Sequence, residues 1–283
     1  MPVTLQFTAD LAEPDLYNDI NGLPEPFNLY AYVGIANTYT AGLYFRVSLV
    51  SPPAAYSYHQ NDLGLVGAGG SQIFGVLLTR TLPTLTAGEY DETITMKVEA
   101  FTDSGYTSLY GYKTLDVAVH HFDHSDPSWT VLDFDNFNGS TENWSSMLGK
   151  IDSSGSGSDN NSPSVYASPF YSSPSSLTGI RVSSGTGYSA RKYFNTSGRT
   201  KARFIAHFYL PTYAEWFSLG FALSINGRLV VPCFVSKKFP RDTWFRLAFN
   251  IEIGASIAVI WQPDISWTDG NKIFMDDVYV IAK

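Results

Sequence analysis

The chain closes on 272-KIFMDDVYVIAK-283, a run of β-favouring residues around two adjacent aspartates. In an uninterrupted strand, successive side chains point to opposite faces. Ile273, Met275, Asp277, Tyr279 and Ile281 then share one face, and Phe274, Asp276, Val278 and Val280 the other. If both faces are covered, at least one carboxylate is buried, and an unpaired buried charge costs several kcal/mol. The stretch therefore calls for a cation, a ring of donors, or water on one face.

The same period of two runs along the rest of the chain. 3-VTLQFTA-9, 27-FNLYAYVGIA-36, 42-GLYFRVSLV-50, 72-QIFGVLLTRTL-82, 92-ETITMKVEAFT-102 and 112-YKTLDVAVHHF-122 are separated by turns carrying Pro, Gly, Asn or Asp. Six or more strands in about 120 residues predict an antiparallel sandwich. A second series follows: 177-LTGIRVSS-184, 189-SARKYFN-195, 201-KARFIAHFYLP-211, 216-WFSLGFALSI-225, 228-RLVVPCFVSK-237, 243-TWFRLAFNIEIG-254, 256-SIAVIWQPD-264 and the closing stretch. Eight or nine strands there predict a jelly roll. The expected fold is thus all-β, with a boundary in the polar 120-HHFDHSDPSW-129: residues 1–124 form one module and 125–283 the other. Between Ser153 and Ser176 the composition is that of a surface loop.

Of the 283 residues 44% are hydrophobic, 15% aromatic and 16% charged, the last well below the usual quarter or so. Net charge is −8 and unevenly placed. Through His124 there are 13 acidic and 4 basic residues, giving −9; from Ser125 onward there are 13 acidic and 14 basic, giving +1. Nucleic-acid binding needs a cationic surface, and an acidic half argues against it. No run of apolar residues is long enough to span a membrane, and 1-MPVTLQFTAD-10 lacks the pattern of a signal peptide. The single cysteine, Cys233, can form no intrachain disulfide.

Signals for catalysis are missing. There is no G-x-S-x-G, H-E-x-x-H, P-loop or dinucleotide fingerprint, and Glu215 and Glu252 lack the neighbouring carboxylates of a retaining glucanase. His120, His121, Asp123 and His124 could ligate a transition metal, but alternation turns His120 and His121 to opposite faces. They read better as polar residues of the domain junction. N-x-S/T sequons occur at Asn138, Asn143, Asn160 and Asn195.

Two resemblances refine the modules. Leu85, Gly88 and Tyr90 in 85-LTAGEYDETITMKV-98 resemble the tyrosine corner of immunoglobulin-like and fibronectin-like sandwiches, which implies a structural hydroxyl on Tyr90. The anchors 132-LDFDNFNG-139 with Trp144, 243-TWFRLAFNI-251 and 273-IFMDDVYV-280 resemble jelly-roll carbohydrate-binding modules and the related concanavalin-like lectin and glucanase sandwiches. That likeness implies a structural Ca2+ between first and last strands, with Asp133 or Asp135 and Asp277, or Asp276, as ligands. It also implies that Trp244 packs in the core. Exposed aromatic candidates for glycan contact are Tyr213, Trp216, Trp261 and Trp267, the last two flanking a Pro-containing loop.

The reading of function is a non-enzymatic structural or adhesive subunit of an exposed assembly, such as a virion spike, fibre or cell-surface filament. Its partners would be copies of itself, other subunits, and glycans, at an extracellular or virion surface. The alternative is a secreted carbohydrate-binding protein, or a non-catalytic module of a polysaccharide-degrading enzyme. For the assembly reading, the strand in 2-PVTLQFTA-9 is expected to complete a neighbouring subunit's sheet.

Overall fold

The computed structural model describes residues 5–11, 15–50, 55–57, 60–138, 142–147, 164–166, 168, 171–172, 176–180, 189–209, 211, 217–225, 228–230, 242–255, 257–265 and 272–283. All regular structure among them is β. The chain divides into two compact units, Met1–Asp123 and His124–Lys283.

Unit 1 contains β1 (Phe7–Leu11), β2 (Asp15–Asp19), β3 (Phe27–Asn37), β4 (Leu43–Leu49), β5 (Tyr56–Ser57), β6 (Asn61–Val66), β7 (Ser71–Arg80), β8 (Glu89–Phe101) and β9 (Leu109–Phe122). One sheet has the order β1-β3-β7-β5. The other runs β2-β9-β8-β4-β6, antiparallel throughout except that β2 lies parallel to β9. The two sheets share a core: Phe7, Val33, Ile35, Phe74, Val76 and Leu78 from one, Phe45, Val47, Ile94, Met96, Val98, Val117 and Val119 from the other. β1 pairs with β3 and puts Phe7 and Ala9 into this core. The expectation that the N-terminal strand is given to a neighbour is therefore overturned: its apolar face is used by its own sandwich.

The tyrosine corner is not made either. Tyr90 lies at the start of β8, exposed, with its ring beside Arg80 and His121, and its hydroxyl has no hydrogen-bond partner among the described residues. The hairpin before β8 is closed by backbone instead, Thr86 bonding Glu89 across Ala87 and Gly88 at positive φ.

Unit 2 contains β10 (Thr130–Asp135), β11 (Ser145–Met147), β12 (Ser164–Tyr166), β13 (Ser176–Ile180), β14 (Ser189–Phe194), β15 (Ala202–Tyr209), β16 (Phe217–Ile225), β17 (Arg228–Val230), β18 (Trp244–Ile251), β19 (Ile257–Ile265) and β20 (Lys272–Ala282). One sheet has the order β12-β13-β20-β15-β18, with β10 also on β20, so the unit's first and last strands pair. The other has the order β11-β14-β19-β16-β17. Ala202, Phe204, Ala206 and Phe208 form the row of β15 that faces the second sheet, and Arg203, Ile205 and His207 on its other face are buried as well. Trp144 joins the two sheets edge-on, its ring 6.5 Å from both Phe194 of β14 and Phe204 of β15.

Pro263 lies inside β19 opposite Leu219, so the segment after Trp261 is strand, not the expected loop. A proline is tolerated there because, among the described residues, β14 pairs with β19 only as far as Trp261 and no strand calls for an N–H beyond it on that edge.

Candidate functional site

The simple alternation of the closing stretch fails at one point. Ile205 of β15 faces Tyr279 of β20, but His207 faces Asp276, so β20 carries a bulge at Asp277 and Val278 opposite Ala206. Asp277 sits at φ 42°, the left-handed conformation a bulge of this kind uses. Beyond it the faces exchange. The outer face of β20 is Phe274, Asp276, Tyr279 and Ile281, while Met275, Val278, Val280 and Ala282 belong to the core side.

The neighbours of β20 also change there. β13 lies beside Lys272–Met275 and β10 beside Val278–Ala282, leaving Asp276 and Asp277 in the gap. Donors from a chain segment fill it. The Asp276 carboxylate accepts the backbone N–H groups of Tyr171 at 2.8 Å, Asp277 at 2.9 Å and Ser172 at 3.4 Å, and Asp277 accepts the Ser172 hydroxyl. Peptide N–H groups thus answer Asp276, and a serine hydroxyl answers Asp277. Burial raises Asp276 to about 6, with Asp277 adding to the rise and the N–H bonds opposing it. Burial raises Asp277 as well.

Asp133 and Asp135 face the other way, into the sandwich. Lys192 of β14 reaches across from the second sheet and places Nζ 2.6 Å from Asp133 Oδ2 and 2.6 Å from Asp135 Oδ1. Trp144 Nε1 donates to the remaining oxygen of Asp135 at 2.9 Å. Burial raises Asp135 despite these partners. The four aspartates expected to hold Ca2+ are split between two faces with other partners. Among the described residues, no three of them approach closely enough to share an ion. They do not fit the set of oxygens that calcium takes.

With the Tyr171 backbone bonded to Asp276, the outer face gathers rings. Tyr171 stacks on His207 of β15 at 3.8 Å and 13°, and meets Trp244 of β18 at 6.0 Å. Trp244 contacts Tyr209 at 5.6 Å, and Tyr209 contacts Phe274 at 6.1 Å. Along the same face Tyr279 stacks on Phe134 of β10 at 4.4 Å and lies 4.6 Å from His124. Tyr171 is 49% and Phe134 43% exposed. Between the rings stand polar groups: Arg246 opposite His207, and Asn250 opposite Arg203. Burial and then the Arg246 charge push His207 down to about 3, so it is a neutral imidazole whose Nδ1 has no partner among the described residues. β10, β20, β15 and β18 lie side by side, so the face is roughly 14 Å wide across strands about 4.8 Å apart.

Of the aromatic residues expected to meet a glycan, Tyr213, Trp216 and Trp267 lie outside the described residues. Trp261 is in β19 of the opposite sheet, paired with Ala190 and Phe221. Trp244, expected in the core, is half-buried on the outer face instead, because it shares the phase of Arg246 and Asn250 rather than that of Phe245 and Phe249. The alternation of 202-ARFIAHFY-209 already separates the wholly apolar row Ala202, Phe204, Ala206, Phe208 from the row Arg203, Ile205, His207, Tyr209. That mixed row, with Arg203, His207 and Tyr209 around Ile205, was the signal available in the sequence.

A second polar cluster lies within unit 1. Arg80 holds Glu92 through two bonds, Nε to Oε1 at 2.7 Å and Nη2 to Oε2 at 3.0 Å. His121 Nε2 meets Oε1 at 2.7 Å, and the Tyr56 hydroxyl donates to the same oxygen at 2.5 Å. Asn18 donates its amide to His121 Nδ1 at 3.1 Å, which leaves Nε2 to carry the proton toward Glu92. His120, on the opposite face of β9, stacks on Tyr17 and bonds Asp91.

No family model and no curated protein matches the chain. Among solved structures, it is similar to the C-terminal family 22 carbohydrate-binding module of Clostridium thermocellum Xyn10B, at 13% identity over 54% of this chain and 92% of that one, with a TM-score of 0.39. The N-terminal CBM22-1–CBM22-2 tandem of Paenibacillus barcinonensis Xyn10C matches over 99% of this chain and 94% of its own, at 11% identity and a TM-score of 0.40. The K3 adhesin domain of Lys-gingipain from Porphyromonas gingivalis matches at 10% identity over 54% and 98%, with a TM-score of 0.37. These likenesses are distant, and the site has to be judged on its own residues.

Proposed function

We propose that the chain is a non-enzymatic carbohydrate-binding protein acting outside the cell. Unit 2, a jelly roll, takes a polysaccharide segment on its outer sheet face, and unit 1, an immunoglobulin-like sandwich, accompanies it. The observation that carries this reading is the row of rings from Phe134 and Tyr279 to Tyr171, Trp244 and Tyr209, interleaved with Arg246 and Asn250. Sugar rings present apolar C–H faces and a rim of hydroxyls. Aromatic faces with a few fixed polar groups complement both. A ligand face favours the binding reading over that of an assembly subunit, which would need a surface made for its own copies. Among the described residues, no helix is long and apolar enough to cross a membrane.

The test is affinity electrophoresis and calorimetric titration of the full chain against a panel of soluble neutral polysaccharides, xylan included. At least one is expected to bind, and Trp244→Ala to weaken it about tenfold or more, equivalent to ~1.4 kcal/mol. Circular dichroism checks that the variant keeps its fold. The proposal fails if nothing in the panel binds, or if binding survives Trp244→Ala and Tyr171→Ala unchanged.

A further inference from the structure

We infer that Lys192 and Asp135 become joined by a side-chain amide, a covalent link between the two sheets of unit 2. Lys192 is on β14 and Asp135 on β10, in different sheets, and the ammonium nitrogen is 2.6 Å from Asp135 Oδ1. An ion pair alone would account for that distance. Three further features suit condensation. Asp135 is 2% exposed, Trp144 3%, and the Lys192 side chain 12%, so the pair is withdrawn from the water that would otherwise hydrate both charges. Trp144 Nε1 donates to Oδ2, the oxygen that takes up negative charge when the carboxyl carbon is attacked. Asp133 Oδ2 stands 2.6 Å from the same nitrogen, placed to take its proton.

The step balances within these groups. Lys192 transfers a proton to Asp135 Oδ1, 2.6 Å away, and becomes a free amine beside a neutral carboxyl. Its lone pair attacks Asp135 Cγ, and the C–O π electrons move onto Oδ2 under the Trp144 N–H. Asp133 accepts a second proton from the nitrogen and delivers it to Oδ1. The C–Oδ1 bond then breaks, and a water molecule carries away both protons. One ammonium and one carboxylate go in; one secondary amide and one water come out, with no oxidant or activated donor. Two effects favour it. Groups held in contact react with an effective molarity that reaches about 10⁵ M or more in well-oriented cases. Replacing two buried charges by a neutral amide also removes their desolvation penalty. Asp133 is the more open of the two carboxylates, with 31% of its side chain exposed, and so marks the side on which water leaves.

The measurement is the intact mass of the denatured full chain, fresh and after days at 37 °C, followed by peptide mapping. The expected result is a mass lower than the sequence mass by one water, and a branched peptide linking Asp135 to Lys192. The Asp269–Gly270 dipeptide can lose water locally as a succinimide, so Lys192→Arg decides between the two sources. That variant keeps the cation, and its mass is expected to return to the full value, whereas a succinimide would persist. Asp133→Asn is expected to slow or stop the loss; loss at the wild-type rate would remove Asp133 from the step. Should Lys192→Arg fail to fold, the wild-type map alone is sufficient. A full sequence mass after incubation, or a map without the branched peptide, overturns the inference.

Discussion

Asp276 is an acidic side chain whose partners are peptide N–H groups, and its cross-strand neighbour His207 is held neutral. Its carboxyl is raised to about 6, from 3.8, chiefly by burial. The folded state therefore binds the proton more tightly than the unfolded state does. Its contribution to stability is complete below the unfolded value near pH 4 and is lost as pH rises through about 6. Asp276→Asn cannot titrate, and its amide nitrogen would oppose the N–H of Tyr171. The difference in melting temperature, wild type minus Asp276→Asn, is expected to shrink as pH goes from 5 to 7, read by scanning calorimetry. A constant difference would mean that the carboxylate is not perturbed. The sequence showed that this charge needed donors, but not where they came from: Tyr171 and Ser172 are more than 100 residues away. It also missed the bulge at Asp277, because a single left-handed aspartate leaves no trace in the apolar pattern.

Three strands of unit 1 run their inward rows to a charged end. β7 carries Phe74, Val76, Leu78 and then Arg80; β8 begins with Glu92 before Ile94, Met96 and Val98; β9 ends with Val117, Val119 and His121. The period of two was plain in the sequence. It could not say that the last member of each row meets the others, since that depends on register between strands. Glu92 is the hub, lowered to about 2: burial, which would raise it, is outweighed by hydrogen bonds from His121, Arg80 and Tyr56. Glu92→Gln leaves Arg80 buried without its counter-charge, and breaking one side of a buried pair costs about 3–5 kcal/mol. Chemical denaturation should show that loss near neutral pH. Glu92 has a depressed value, so its contribution is present above about 4.5 and fades as pH falls toward 2, and the gap between wild type and variant should narrow with it. An unchanged midpoint in Glu92→Gln would return the cluster to the ordinary surface pairs that contribute little.

On the scale of the molecule, both units are legible as all-β from alternation alone, whereas the outer face of unit 2 is not. Its rings come from β10, β15, β18, β20 and the segment at Tyr171, and only the order β20-β15-β18 makes them neighbours. Unit 2 closes by pairing its first strand with its last, and on the core side of that seam the cation is Lys192. A lysine fixed to β14 ties the seam to the opposite sheet, which an exchangeable ion bound to strand ends would not do. On this arrangement the unit's stability is expected not to depend on free calcium. The melting temperature of the full chain is expected to stay the same after chelation and after calcium is restored, while Asp135→Ala lowers it by leaving the Lys192 ammonium facing only the half-open Asp133. A chelator-induced fall that calcium reverses would show that the aspartates of the seam hold an ion in solution, and would count against both the ion pair and the amide at Lys192.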